Sequence, residues 1–358
     1  MAQEPLRQPS VITMSLCELL DIKLPIIQAP MAGVQGSALA SAVSNAGGLG
    51  SLPCAMLSLD AMESEIQAIR AQTDRPFNVN FFCHAPPRMD EAKDHAWRAL
   101  MAPYYRELGL NPADVVAAPA RLPFNQDMAD WVSRHQPPVV SFHFGLPVRE
   151  WLEQVRASGA KILSSATTVS EALWLEAQGV DAVIAQGLEA GGHRGMFLTQ
   201  DLLSQVGTFA LLPQIVNAVS IPVIAAGGIA DARGVKAAMA LGAAGVQVGT
   251  AYLLCPEAKT SAVHRRALHS EAARITALTN IYSGRPARGI VNRLMKDLGP
   301  ISPMAPDFPL ASAASAALRA AAERQGLGDF TPLWAGQNVS GCADIPAGLL
   351  TRQLAAEL

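Results

Sequence analysis

Short apolar runs alternate along this chain with longer stretches whose apolar positions recur at helical spacing. The runs at 25–28, 77–82, 139–144, 181–185, 222–226 and 245–248 are rich in Val, Ile, Phe and Ala and rarely alternate with polar residues. That is the pattern of strands covered on both faces, as in parallel sheets. Two further runs, at 49–52 and opening at 161–163, complete a set of eight. Between them, residues 37–45 read as a helix stopped by Gly47-Gly48, and 60–71 as an amphipathic helix with Met62, Ile66 and Ile69 on one face. Eight strands separated by helices predict a (β/α)8 barrel. The rhythm is most regular from 139 to 255, where strand starts recur at roughly the spacing that a βαβ unit requires. An open doubly wound sheet is the competing arrangement, but no GxGxxG opens a helix after the first strand.

Two segments interrupt the rhythm. Residues 84–137 are too long for a simple crossover and carry several prolines with Trp97, Tyr104 and Tyr105. They read as a helical insertion after the third strand. From 256 to 358 the chain continues past the eighth strand as a mostly helical extension, with helices near 310–324 and 347–356. The Ala-rich stretch 311–322 is helix-prone rather than disordered. The expected organisation is therefore a barrel over 1–255, containing the insertion, with the extension packed on it or closing over it.

Composition narrows the class. Half of the 358 residues are hydrophobic and only 16% are charged, ample for a large core. A formal net charge of -3 gives no electrostatic case for nucleic acid or for an anionic membrane surface. The five cysteines are scattered without a CxxC pair, so neither a disulfide framework nor a zinc site is indicated. Gly and Pro break every apolar run before it reaches membrane-spanning length, and no leader pattern opens the chain. The expectation is a reduced, soluble, cytoplasmic protein, with assembly into a homo-oligomer left open.

Candidate chemistry gathers at the carboxyl ends of the predicted strands, the edge where α/β proteins place their sites. The sixth strand runs into Gln186-Gly187-Leu188-Glu189-Ala190-Gly191-Gly192-His193-Arg194-Gly195, which puts an imidazole and an Arg in a Gly-rich loop. Gly227-Gly228 ends the seventh strand, and Gly249-Thr250 the eighth. Glycines there let backbone N–H groups approach a phosphate, and Asp231 is placed to cap the next helix. Either glycine pair alone is equally well a tight turn; two on adjacent strands favour phosphate. Pro30 and Met31 lie in a Pro-Met-Ala-Gly turn after the first strand, fit to pack on a flat ring or simply to turn the chain. Asn78 and Asn80 share one face of the third strand, with Asn80 nearer its carboxyl end. His84 and His143 also fall at strand ends, but their remote spacing makes a metal site with His193 a weak reading. No GxSxG elbow and no P-loop motif is present.

Taken together, PIIQAPM at 25–31, NAGGLG at 45–50, PFNVNFFCH at 76–84, SFHFG at 141–145, the 186–195 loop, 225–229, 247–250, SGRPARG at 283–289 and WAGQ at 334–337 resemble the flavin-dependent nitronate monooxygenase family, class I branch, formerly called 2-nitropropane dioxygenases. The resemblance covers nearly the whole chain. It implies a TIM barrel with non-covalent FMN, contacted by Pro30, Met31, Asn80, Gln186, Gly191, Gly192, Gly227, Gly228, Gln247, Val248, Gly249 and Thr250. His193 matches the family's active-site histidine. His143, Ser283, Arg285 and Arg288 are candidates for substrate contact. The implied reaction is oxidation of an alkyl nitronate such as propionate 3-nitronate by FMN and O2, giving a carbonyl compound and nitrite or nitrate. His193 would act protonated, stabilising the anion, or neutral, as a base on a nitroalkane. Related flavoproteins supply the alternatives: an NAD(P)H reductase of quinones or enoyl thioesters, or a barrel that binds flavin without turnover. The quinone-reductase branch carries a Lys in the fifth strand where this chain has Ser165.

Overall fold

The computed structural model describes residues 14–112 and 121–358. Eight parallel strands form one sheet: β1 (Ile26–Gln28), β2 (Gly50–Pro53), β3 (Phe77–Phe82), β4 (Val139–His143), β5 (Lys161–Ala166), β6 (Ala182–Gln186), β8 (Val223–Ala226) and β9 (Gly245–Val248), with the two-residue strand β7 (Gly192–His193) lying outside it. The order β1-β9-β8-β6-β5-β4-β3-β2 brings the first strand beside the second. Gln28 N donates to Leu49 O and Leu49 N to Ile26 O, both at 2.9 Å, closing the sheet into a barrel. The expected fold is thus the observed one, with every predicted strand present to within a few residues.

Two apolar layers hold it. Outward residues such as Val79, Phe81, Val140, Phe142, Ile162, Val183 and Val246 pack under the surrounding helices in one continuous core. Inside, Ile27, Leu49, Val139, Leu163, Ile184 and Ile224 pack with Leu16 and Leu20 of the helix Leu16–Leu20. Part of the interior is polar instead. Asn78 Nδ2 donates to Ser51 Oγ and Ser141 Oγ at 3.0 and 2.9 Å, and Gln28 Nε2 donates to Gln35 Oε1 at 2.7 Å. Buried amides need partners, and this network supplies them for the Asn78 and Gln28 NH2 groups just below the strand ends where Asn80 and Gln186 sit, while Asn78 Oδ1 is left without one.

The insertion divides into two parts. Helix Gln126–His135, capped by Asn125, packs on Arg149–Ala157 and is the ordinary crossover between β3 and β4. Helix Glu91–Glu107 instead lies on Ser312–Arg324 of the extension, burying Trp97, Met101 and Tyr105 with Leu318 and Phe330 in a second core. Two polar contacts lock it: Trp97 Nε1 donates to Ala311 O at 3.3 Å and Tyr105 OH to Ala314 O at 3.0 Å.

The extension's regular structure is mainly helical, but besides its helices it holds an antiparallel hairpin, β10 (Thr276–Thr279) and β11 (Ala287–Ile290). β11 pairs in turn with β7, setting Ala287 opposite His193 and Arg288 opposite Gly192. The four-residue strands carry too few apolar positions to show a period of two. Gly284 turns the hairpin at φ +88°, where a side chain would meet Pro306 O.

Candidate active site

The carboxyl ends of the barrel strands surround a cavity of about 520 Å³, within the usual range for small-molecule and cofactor sites. Pro30, Met31, Asn80, His143, Gln186, Gly191, Gly192, His193, Gly227, Gly228, Gln247, Gly249 and Thr250 line it. Segments far apart in sequence therefore meet as the spacing predicts. Val248 does not join them: alternation along β9 sends its side chain into the core beneath the helices.

The loop after β6 is fixed from below. Gln186 Nε2 donates to the main-chain oxygen of His193 at 2.9 Å, and Gly195 N donates to Gln186 Oε1 at 2.7 Å. His143 Nε2 donates to the same His193 oxygen at 3.1 Å, so its Nδ1 is the acceptor for Ser165 Oγ at 3.0 Å. Arg194, the loop's arginine, points away from the cavity. Its buried guanidinium donates to Gly187 O, Gln186 O and Gln205 Oε1 at 2.6, 2.7 and 2.9 Å, tying down the strand end. Glu189 caps helix Thr208–Ala218 through Thr208 N and Oγ1, at 2.7 and 2.8 Å.

His193 itself faces an aromatic wall of Phe82, Phe144, Phe308 and Trp334, with ring centroids 5.3–6.3 Å away. Its Nε2 lies 2.9 Å from Ser283 Oγ, whose hydroxyl donates to Arg285 O at 3.2 Å. Ser283 therefore accepts from His193, which puts the proton on Nε2 and leaves Nδ1 as the basic nitrogen. Burial, reinforced by Arg121, His143, Arg285 and His84, holds the imidazole well below its ordinary pKa. Burial likewise lowers His143 to about 3 and His84 to about 4. All three rings are neutral at pH 7.

The glycine turns have the form an anion site needs. Gly227 and Gly228 adopt φ +121° and +73°, and Asp231 Oδ1 accepts from Gly234 N at 2.9 Å to cap the helix beyond. Residues of the extension close this side: Gly336 N donates to Thr250 Oγ1 at 2.9 Å, Gln337 N to Glu189 O at 3.0 Å and Asn338 Nδ2 to Gly228 O at 3.0 Å. Nearby, Gln247 Oε1 is buried without a hydrogen-bond partner. An orphaned acceptor on a cavity wall fits a bound group that donates to it.

Three of the residues expected to touch substrate stand behind the wall. Ser283 acts through His193. Arg285 lies over the Phe144 ring, 4.0 Å from its centroid, and donates to Met196 O. Arg288 is buried and donates to Leu188 O at 2.9 Å and Thr276 Oγ1 at 3.2 Å. The cavity's cations are others: Arg121 from the insertion, Lys259 and Arg319. Neither these nor His264 and Trp334 follow a barrel strand, so the strand rhythm gave no signal for them, although WAGQ was among the family-like segments.

Comparison with known proteins agrees with this architecture. The family model described as nitronate monooxygenase matches residues 13–357. The chain is 45% identical over 343 residues to the nitronate monooxygenase of Pseudomonas aeruginosa, covering 95% of this chain and 97% of that one. It is 44% identical to the nitronate monooxygenase of Paraburkholderia phytofirmans, over 96% and 94% of the two chains. Among solved structures, nitroalkane oxidase from Streptomyces ansochromogenes superposes with a TM-score of 0.87 at 39% identity, covering 96% and 97%. FabK from Thermotoga maritima follows a similar course at lower similarity, with a TM-score of 0.72 and 28% identity over 96% of each chain. A matched model over almost the full length, relatives at this identity and a shared overall fold lead to one assignment: the chain belongs to the nitronate monooxygenase family.

Proposed function

We propose that this protein binds FMN non-covalently and oxidises alkyl nitronates, such as propionate 3-nitronate, with O2 to carbonyl compounds and nitrite or nitrate. One observation carries the reading: a neutral His193, anchored from two sides, faces a cavity that no Asp or Glu lines among the described residues. An anionic substrate entering it meets no fixed negative charge from those residues, and desolvation strengthens every polar contact it makes there.

The residues fit the cofactor. Gly227, Gly228, Gly249 and Thr250 would hold the phosphate with backbone N–H groups. Pro30 and Met31 would pack on the ring, and Asn80, Gln186 and the unpartnered Gln247 Oε1 would meet its polar edge. The flavin supplies the electron acceptor for the nitronate, chemistry that no side chain here possesses. His193 handles the proton. Its free Nδ1 can take one from a neutral nitroalkane, and the imidazolium so formed stabilises the anionic nitro group beside it. Supporting a closing role for residues 256–358 over a barrel spanning 1–255, the segment around Gly336 and Asn338 bonds directly to the loops assigned to phosphate. We place the enzyme in the cytoplasm; none of the described helices is long and apolar enough to cross a membrane.

The test is the absorbance spectrum of the purified protein under anaerobic conditions. Bleaching by propionate 3-nitronate, with no response to NADH, is the expected result. Bleaching by NADH alone would move the assignment to a flavin-dependent reductase, and a protein that cannot be loaded with FMN would overturn the cofactor.

A further inference from the structure

The cavity wall carries three cationic side chains, and two are already matched. Lys259 Nζ pairs with Glu65 at 3.1 Å, and Arg319 Nε with Glu323 at 2.8 Å. Among the described residues Arg121 has no carboxylate partner; its guanidinium lies over the Phe308 ring, whose centroid is 5.9 Å from its Cζ. The backbone of Arg121 is held in place, because His84 Nε2 donates to its main-chain oxygen at 3.1 Å. Three residues on, Phe124 N donates to Phe82 O at 2.7 Å, fixing this part of the insertion at the end of β3. In the strand order β3 and β8 stand on opposite sides of the barrel, so Arg121 lies across the mouth from the Gly227-Gly228 turn. His193 stands beside the same aromatic neighbour, its ring centroid 5.3 Å from that of Phe308. A half-buried guanidinium with no carboxylate among the described residues is completed by an anion entering the cavity. Planar, with a fork of N–H donors, it matches a carboxylate.

We propose that Arg121 is the specificity-determining residue of the substrate cavity, binding a carboxylate on the tail of the substrate whose nitronate carbon lies beside His193. This rests on the nitronate reading for the group at His193. Among the described residues Arg121 is the cation left for the second contact, since Lys259 and Arg319 pair with carboxylates and Arg285 and Arg288 donate to main-chain oxygens. Both Arg121 and His193 are within reach of one phenyl ring, so the two anionic ends belong to a molecule of only a few carbons.

The experiment compares wild type with Arg121→Met and Arg121→Lys in two assays. In the first, KM is measured for propionate 3-nitronate and for butyl 1-nitronate, which lacks the carboxylate. Loss of one charge-assisted contact predicts a KM for the acidic substrate raised about 10- to 100-fold in Arg121→Met. The neutral-tailed substrate should change by less than about threefold on the same scale, and Arg121→Lys should recover part of the loss. In the second, anaerobic titration calorimetry measures binding of 3-nitropropanoate to the FMN-loaded protein, with no turnover needed. Weakening of that binding in Arg121→Met, and less in Arg121→Lys, supports the proposal even if the protein oxidises no nitronate. Equal KM changes for both substrates, an unchanged KM for the acidic one, or no binding of 3-nitropropanoate to wild type would each overturn it, and an enzyme that oxidises nitronates would remain.

Discussion

His143 is joined to His193 through the main chain and not through the ring: Nε2 of the first donates to the carbonyl oxygen of the second at 3.1 Å. Gln186 Nε2 reaches the same oxygen at 2.9 Å. The oxygen thus has two donors, and either alone still holds the loop. His143→Leu should therefore lower kcat/KM only modestly, by about tenfold, equivalent to roughly 1.4 kcal/mol. The double variant with Gln186→Leu should lose far more than the product of the single effects. Steady-state kinetics on the four proteins gives the coupling, and simple additivity would mean that the shared oxygen is not the link.

His193→Asn removes the basic nitrogen while leaving the walls of the cavity in place. The variant should retain FMN, visible as an unchanged flavin spectrum, and lose most turnover of a neutral nitroalkane, about 10²-fold or more as for other acid–base groups. Wild-type-like kcat/KM would remove His193 from the mechanism.

Arg194 belongs to the scaffold. Its guanidinium is fully buried and serves two main-chain oxygens and Gln205. Arg194→Met leaves those acceptors without donors and should cost about 1–3 kcal/mol for each buried group left unsatisfied. Arg194→Lys cannot reproduce the fork and should recover only part of it. Urea unfolding distinguishes this from a role in chemistry: midpoint and activity should fall together in both variants.

Gly191 is the point where the loop after β6 passes under the extension. A Cβ there would lie 2.5 Å from Gly336 N and 2.6 Å from the carbonyl carbon of Ala335. Both are backbone atoms with no rotamer to yield. Gly191→Ala should displace the Ala335–Gly336 segment, weakening FMN retention at least tenfold while far-ultraviolet circular dichroism stays native. Unaltered retention would mean that the segment does not close the site.

Acid should destabilise the protein earlier than its carboxylates alone would dictate. His84 and His264 are depressed by burial to about 4, and His143 to about 3. Unfolding restores values near 6.5, so below that pH the unfolded chain binds more protons than the folded one and stability falls with falling pH. Each of these histidines adds up to about 1.4 kcal/mol per pH unit between 6.5 and its folded value. The melting temperature should drop steeply from pH 6.5 towards 4.5, and His264→Gln should flatten that slope. A flat profile would mean that the buried rings titrate normally.

The barrel was legible because both-face burial writes itself as apolar runs: β3 and β6 were found nearly residue for residue. Its polar mouth was legible where glycines and a histidine follow a strand directly, as at Gly227 and His193. What escaped were residues that reach the cavity from outside the rhythm. Arg121 arrives from the insertion and Trp334 from the extension, and neither carries a local signature because tertiary packing alone puts them there. Arg285 and Arg288 misled for the complementary reason. Two arginines beside glycines look like anion ligands in one dimension, whereas the short β11 pairing turns Arg288 inward, onto Leu188 O.

The pairing of β11 with β7 also sets an order of events. A ribosome releases all eight barrel strands before it has made the hairpin, and the segment at Gly336 emerges later still. The barrel strands therefore exist for a time without the strand that flanks His193 and without the residues that bond to Thr250 and Gly228. The reactive pocket is completed only when the last third of the polypeptide arrives, and that same segment brings Ala347, Leu350 and Leu354 into the core around the barrel, so a prematurely terminated product lacks both a finished pocket and part of its core.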